Sequence, residues 1–155
     1  MKYLIVVLIS IILSSNVEAN KGYRPEYKKL NWDGVEVVWL ENTRFPLYDV
    51  VFYFGDGALS DNPKDMGTTE MAFDLLTSGT RRFTQKEIND NLEFYGSSYG
   101  ASVTHEYATY KVSGLVKDIV PTIKQVCHLF SDATYPKNEV KKSITLRRNG
   151  IKNLV

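Results

Sequence analysis

Cysteine is almost absent from this sequence: Cys127 is the only one in 155 residues, so no intrachain disulfide can form and no paired Cys-x-x-Cys unit exists. Histidine is nearly as scarce, and His105 and His128 make no zinc pattern with one another. Charge of one sign is not in excess, since the net charge is +1, which removes any global pull toward nucleic acid or acidic membranes. No apolar run reaches the ~20 residues that cross a bilayer as a helix. A Gly-rich phosphate loop, a nucleophile elbow and internal repeats are also missing. The sequence therefore carries no expectation of a nucleic-acid partner or a stable membrane anchor.

What is present is ordinary globular material, 43% hydrophobic and 24% charged, of a length that allows one domain at most. Residues 1–19 stand apart. Lys2, the apolar run Tyr3 to Leu13, and Val17-Glu18-Ala19 read as a signal peptide with a small-residue cleavage site. The chain is thus expected to be exported, to a bacterial periplasm or beyond the cell, with its domain over residues 25–155. Charge is unevenly distributed. Asp56, Asp61, Asp65, Glu70 and Asp74 cluster in one segment; Lys137, Lys141, Lys142, Arg147, Arg148 and Lys152 cluster in another. The simplest expectation is two solvated faces that attract each other in the fold.

The body alternates strands and helices. Glu26 to Trp32 and Val35 to Glu41 flank Asp33-Gly34, a strong hairpin signal. Leu47 to Phe54 suits a central strand. Thr84-Gln85-Lys86-Glu87 reads as a capping box for a helix with a stripe of Ile88, Leu92 and Tyr95, stopped by Gly96. Ser97 to Thr104 and Tyr107 to Leu115 pair around His105-Glu106, where His105 reads as a solvent-facing turn residue. The first of these strands is rich in small residues, and an edge strand of that kind can accept another extended chain. Ile119, Ile123, Val126 and Phe130 mark a third helix that tolerates Pro121 in its first turns. Cys127 beside that stripe reads as a small buried hydrophobe, and His128 as a partly buried residue with an ordinary hydrogen bond. After Tyr135-Pro136 a last helix follows, with Gly150 inside its pattern.

The stretch around which this is organised runs from Gly67 to Thr80. Met71, Ala72, Leu75 and Leu76 recur at helical spacing, Gly79 is placed as a left-handed helix end, and Glu70 and Asp74, four apart, share one face. Such a pair is usually a solvated helix face, with a weak divalent-cation site as the alternative.

This frame resembles the insulinase/pitrilysin peptidases, the inverzincins, whose zinc motif is His-x-x-Glu-His. Gly67 and Gly79-Thr80 match the frame, while the chemistry-bearing positions fall on Glu70, Phe73, Asp74 and, for the later ligand, Gly150. Phe73 accepts no proton and Gly150 has no side chain, whereas a catalytic zinc needs three donors and a nearby carboxylate. The resemblance implies an α+β fold, an antiparallel or mixed sheet of about five strands with helices on one face. The family's unit runs on past Val155, so the resemblance also implies an incomplete N-terminal half-domain. It implies a member lacking the zinc motif, with no cofactor expected, that pairs with an active homologue and helps hold a peptide substrate. Gly100, Ala101, Ser102, Val103 and Thr104 are, by the same resemblance, the strand bordering the peptide cleft. Two alternatives remain open at this point: an active zinc metalloendopeptidase with unrecognised ligands, and a binding module unrelated to proteolysis.

Overall fold

The computed structural model describes residues 26–152, so the leader expected over residues 1–19 lies outside the described residues. Contacts divide the chain after Arg44 into two units. In the first, strands β1 (Tyr27–Trp32) and β2 (Val35–Leu40) pair antiparallel with Trp32 opposite Val35. Asp33 and Gly34 both take positive φ, 52° and 88°, the combination a two-residue turn needs to follow the strands' twist. The Asn31 side chain closes the turn by accepting from Gly34 N at 2.9 Å.

In the second unit, β3 (Leu47–Phe54), β4 (Ser98–Val103) and β5 (Ala108–Leu115) form an antiparallel sheet in the order β3-β5-β4. The α+β class is as expected, but the single sheet of about five strands is not: the five strands among the described residues are divided between a two-stranded and a three-stranded sheet, and none pair in parallel. One sheet face carries Tyr48, Val50, Phe52 and Phe54 from β3 with Tyr110 and Val112 from β5; the other carries exposed Leu47, Val51 and Tyr53. Helices cover only the first face, as alternation along half-buried strands requires.

Among the described residues, four α-helices follow from local signals. Helix α1 (Thr68–Asp74) is shorter than its pattern, and a 3-10 turn, Leu76–Ser78, continues it. The left-handed glycine stands at its start: Gly67 has φ 89° and ψ 5°, whereas Gly79 has φ 155° and ψ 152° and does not cap in the expected way. Helix α2 (Gln85–Phe94) opens on the expected capping box, with Thr84 N donating to Glu87 Oε2 at 2.8 Å. Gly96, with φ 58°, follows its end, and Ile88 and Leu92 are fully buried.

Helix α3 (Ile119–Asp132) holds Pro121 in its first turn but is rotated from its apolar stripe. Its buried residues are Thr122, Gln125, Val126 and Leu129, while Ile119 and Phe130 only partly bury against the core. The reason is a polar contact: Thr122 Oγ1 meets Ser97 Oγ at 3.0 Å, so a hydroxyl sits inside without losing its partner. The rotation also turns Cys127 outward, so it is exposed and not the buried hydrophobe its neighbours suggested. His128 contacts Asp132, Nδ1 to Oδ2 at 3.5 Å. Phe130 still reaches the sheet face, with ring centroids 5.1 Å from Phe52 and 5.3 Å from Tyr110. The fully buried Ile88, Leu92, Val112, Val126 and Leu129 each contribute about 1.5–3 kcal/mol. Helix α4 (Lys137–Lys152) closes the described chain. Among the described residues no helix is long and apolar enough to cross a membrane.

Candidate functional site

The site is built where α1 lies across the sheet beside β4. The loop before α1 is fastened at both ends. Ala58 N and Leu59 N donate to Thr104 O and His105 O, each at 2.9 Å, which ties it to the turn between β4 and β5. Gly57 lies so close to that turn that an added Cβ would come within 2.7 Å of three backbone atoms. At the other end, the Asp61 carboxylate accepts from Gly67 N at 2.7 Å, Thr69 N at 3.0 Å and Thr69 Oγ1 at 2.6 Å. The two backbone N–H groups are free donors of a helix start, and the anion suits the positive end of the helix. The Thr69 hydroxyl bond, chiefly, with the backbone N–H bonds, holds the Asp61 carboxyl below its ordinary range.

Helix α1 then projects three side chains of different fate. Phe73 turns into the core and meets Phe54 edge-on at 5.2 Å, where it adds packing and offers nothing to a proton. Glu70 and Asp74 point to the surface, but not into bulk water alone. One guanidinium, that of Arg147 on α4, bridges them: Nη1 donates to Glu70 Oε2 at 2.8 Å and Nη2 donates to Asp74 Oδ2. The pair is therefore neither a bare solvated face nor a set of free ligands. The attraction expected between the acidic and basic segments is realised here, among the described residues through Arg147. Gly150, one turn further along α4, is exposed, and a Cβ added to it would meet nothing within 4 Å.

Zinc does not fit this arrangement. Two carboxylates are at hand, both already bound to a fixed cation, and Phe73 and Gly150 supply no third donor or base. Among the described residues no group of three or more His, Cys, Asp or Glu side chains converges as a metal cluster would.

Beside this helix lies a cavity of about 150 Å³, lined by Phe73, Asp74, Thr77, Tyr99, Gly100, Ala101 and Tyr110. It joins residues from two groups that the sequence singled out separately, Phe73 and Asp74 of the helix and Gly100 and Ala101 of the small-residue strand. Strand β4 is an edge of its sheet, paired with β5 on one side, and Gly100, Ala101 and Ser102 are exposed. Val103 closes the strand, and Thr104 falls just past it, its hydroxyl donating to Tyr107 O at 2.9 Å. Tyr99 OH donates to Asn89 Oδ1 at 2.8 Å and so fixes β4 against α2. Tyr110 is 2% exposed, and its hydroxyl has no hydrogen-bond partner among the described residues. Burial pushes both phenols above their ordinary pKa, so each remains a neutral donor.

Sequence reasoning missed the lining residues Thr77, Tyr99 and Tyr110, and it saw Arg147 only as one of several bases. Its signal was the charge asymmetry between the two segments, which named the attraction but not the residue.

Comparison with known proteins bears on the family and the fold. The model of a family described as insulinase, peptidase family M16, matches residues 37–152. Comparison with curated proteins finds no match. Among solved structures, the chain is similar to a peptidase M16 inactive domain from Pseudomonas fluorescens, at 17% identity over 83% of this chain and 32% of that one, with a TM-score of 0.77. It is also similar to a protease from Helicobacter pylori, at 14% identity over 75% of this chain and 28% of that one, with a TM-score of 0.67. At such identities the likeness establishes the fold. The chain spans about a third of either structure's length.

Proposed function

The chain belongs to the insulinase family, peptidase family M16, and from that premise we propose that it is a non-catalytic member that holds peptide for an active homologue. The observation that carries the reading is the pairing of a disabled centre with an intact receiving surface. Glu70 and Asp74 are bound to Arg147 and Phe73 is spent on packing, yet the open edge of β4 and the adjoining cavity are kept. A peptide adding to that edge gains main-chain hydrogen bonds, and one of its side chains enters the cavity over Ala101. Hydrolysis is then the work of a partner whose motif is whole. The Pseudomonas structure is described as a peptidase M16 inactive domain, which supports the non-catalytic part of this reading. Residues 1–19 serve as a signal peptide in this reading, which places the pair outside the cytoplasm; the apolar run Tyr3 to Leu13 supports it.

The test uses a fluorescent extended peptide and two proteins, the full chain and its Ala101→Leu variant. Ala101 is exposed on the cavity wall, so the larger side chain fills the cavity without entering the core. The reading expects peptide binding by the full chain, about tenfold weaker binding by the variant, and cleavage only after an intact family member is added. Equal binding by the two, or cleavage by this chain alone, overturns it.

A further inference from the structure

The misfit between this site and zinc has a positive counterpart. We infer that Arg147 takes over the mechanical task of a metal, serving as a built-in cation that ties α4 to the site helix α1. A metal in such a place joins side chains from two helices through one positive centre. Here that centre is a guanidinium, and its two terminal nitrogens reach two different carboxylates. Residues four apart on a helix are neighbours on one face, and like charges there repel. A planar fork spans two such carboxylates, which a single ammonium does not do as well.

Burial supports the assignment. Arg147 is the sheltered member of the triad, its side chain 30% exposed against 55% for Glu70 and 56% for Asp74. From Ile144 to Gly150, every residue of α4 except Arg147 is exposed. The inward residues Glu139, Val140 and Ser143 lie in its first two turns. Over residues 144–150, α4 therefore rests on this fork, and Arg147 is a positioning residue that also holds the Asp74 carboxylate at the rim of the cavity. A divalent ion arriving at Glu70 and Asp74 has to displace a charge that is covalently part of the chain.

Hydrogen exchange on the full chain tests this, with Arg147→Met, a control Arg148→Met at an exposed neighbour, and a double variant Glu70→Gln with Asp74→Asn. Arg147→Met and the double variant are expected to raise exchange over residues 144–150 by about three- to tenfold, as loss of two partly exposed ion pairs implies. Exchange in β3 and β5 stays unchanged in both, which shows that the fold survives, and Arg148→Met behaves as wild type. Raising salt from about 0.1 M to about 1 M loosens the same residues in wild type but not in Arg147→Met, because only the former has a charge contact to screen. Zinc leaves wild-type exchange as it was. Unchanged exchange in both the Arg147→Met and the double variant overturns the inference, as does salt loosening of the same size in Arg147→Met and wild type. Protection of 144–150 by zinc in wild type also overturns it. None of these readouts depends on peptide binding, so the inference fails or stands apart from the proposed function.

Discussion

Gly57 shows how much a single missing side chain decides. The site loop crosses the β4–β5 turn so closely that a Cβ at this position would lie 2.5 Å from Tyr107 N and 2.6 Å from Thr104 O. Both are backbone atoms in a hydrogen-bonded turn, where Thr104 N donates to Tyr107 O at 2.8 Å, so neither yields without breaking that turn. The Gly57→Ala change is therefore expected to cost about 2 kcal/mol through overpacking, read as a lower urea midpoint at unchanged slope. A loss under about 0.5 kcal/mol would show that the loop is not clamped there. The sequence marked this segment as a loop rich in turn formers, but nothing in it said which glycine meets another backbone. Such contacts join residues some fifty positions apart, and local patterning carries no record of them.

At the scale of the element, short-range signals were the legible ones. The Asp33-Gly34 turn, the Thr84–Glu87 capping box and the Gly96 stop each depend on groups within a few residues, and each stands where its residues place it. Face assignment fared worse on α3, because Thr122 and Gln125 are inside and a stripe drawn from apolar residues passes them by. The cap of α1 was also hidden, since Asp61 stands six residues before Gly67 and reaches it only by the course of the loop. That cap has a pH signature. The folded-state pKa of Asp61 is depressed, so its contribution is present above the ordinary carboxylate range, about pH 4, and is lost as pH falls through the lower folded value. Melting temperature measured downward from neutral pH is expected to fall more steeply in wild type than in Asp61→Asn below about pH 4. Parallel curves would show that the carboxylate does not hold the helix start.

For the whole molecule, the fold class was readable because hairpin, strand, helix and paired strands follow one another in a recognisable order. The centre of the site was only half readable. Glu70, Phe73, Asp74 and Gly150 were picked out in the sequence by the resemblance, as positions where the motif's chemistry would be replaced. What those replacements do instead is a tertiary matter: a ring packed on Phe54, two acids gripped by Arg147, and a cavity opening onto β4. The central proposal is that this insulinase-family fold carries an internal ion pair in place of metal chemistry. Its most direct test is a metal assay of the full chain after equilibration with zinc and gel filtration, run beside peptide hydrolysis with and without chelator. The account predicts far less than one zinc per chain and no chelator-sensitive cleavage; one tightly held zinc per chain, with cleavage that a chelator abolishes, would contradict it.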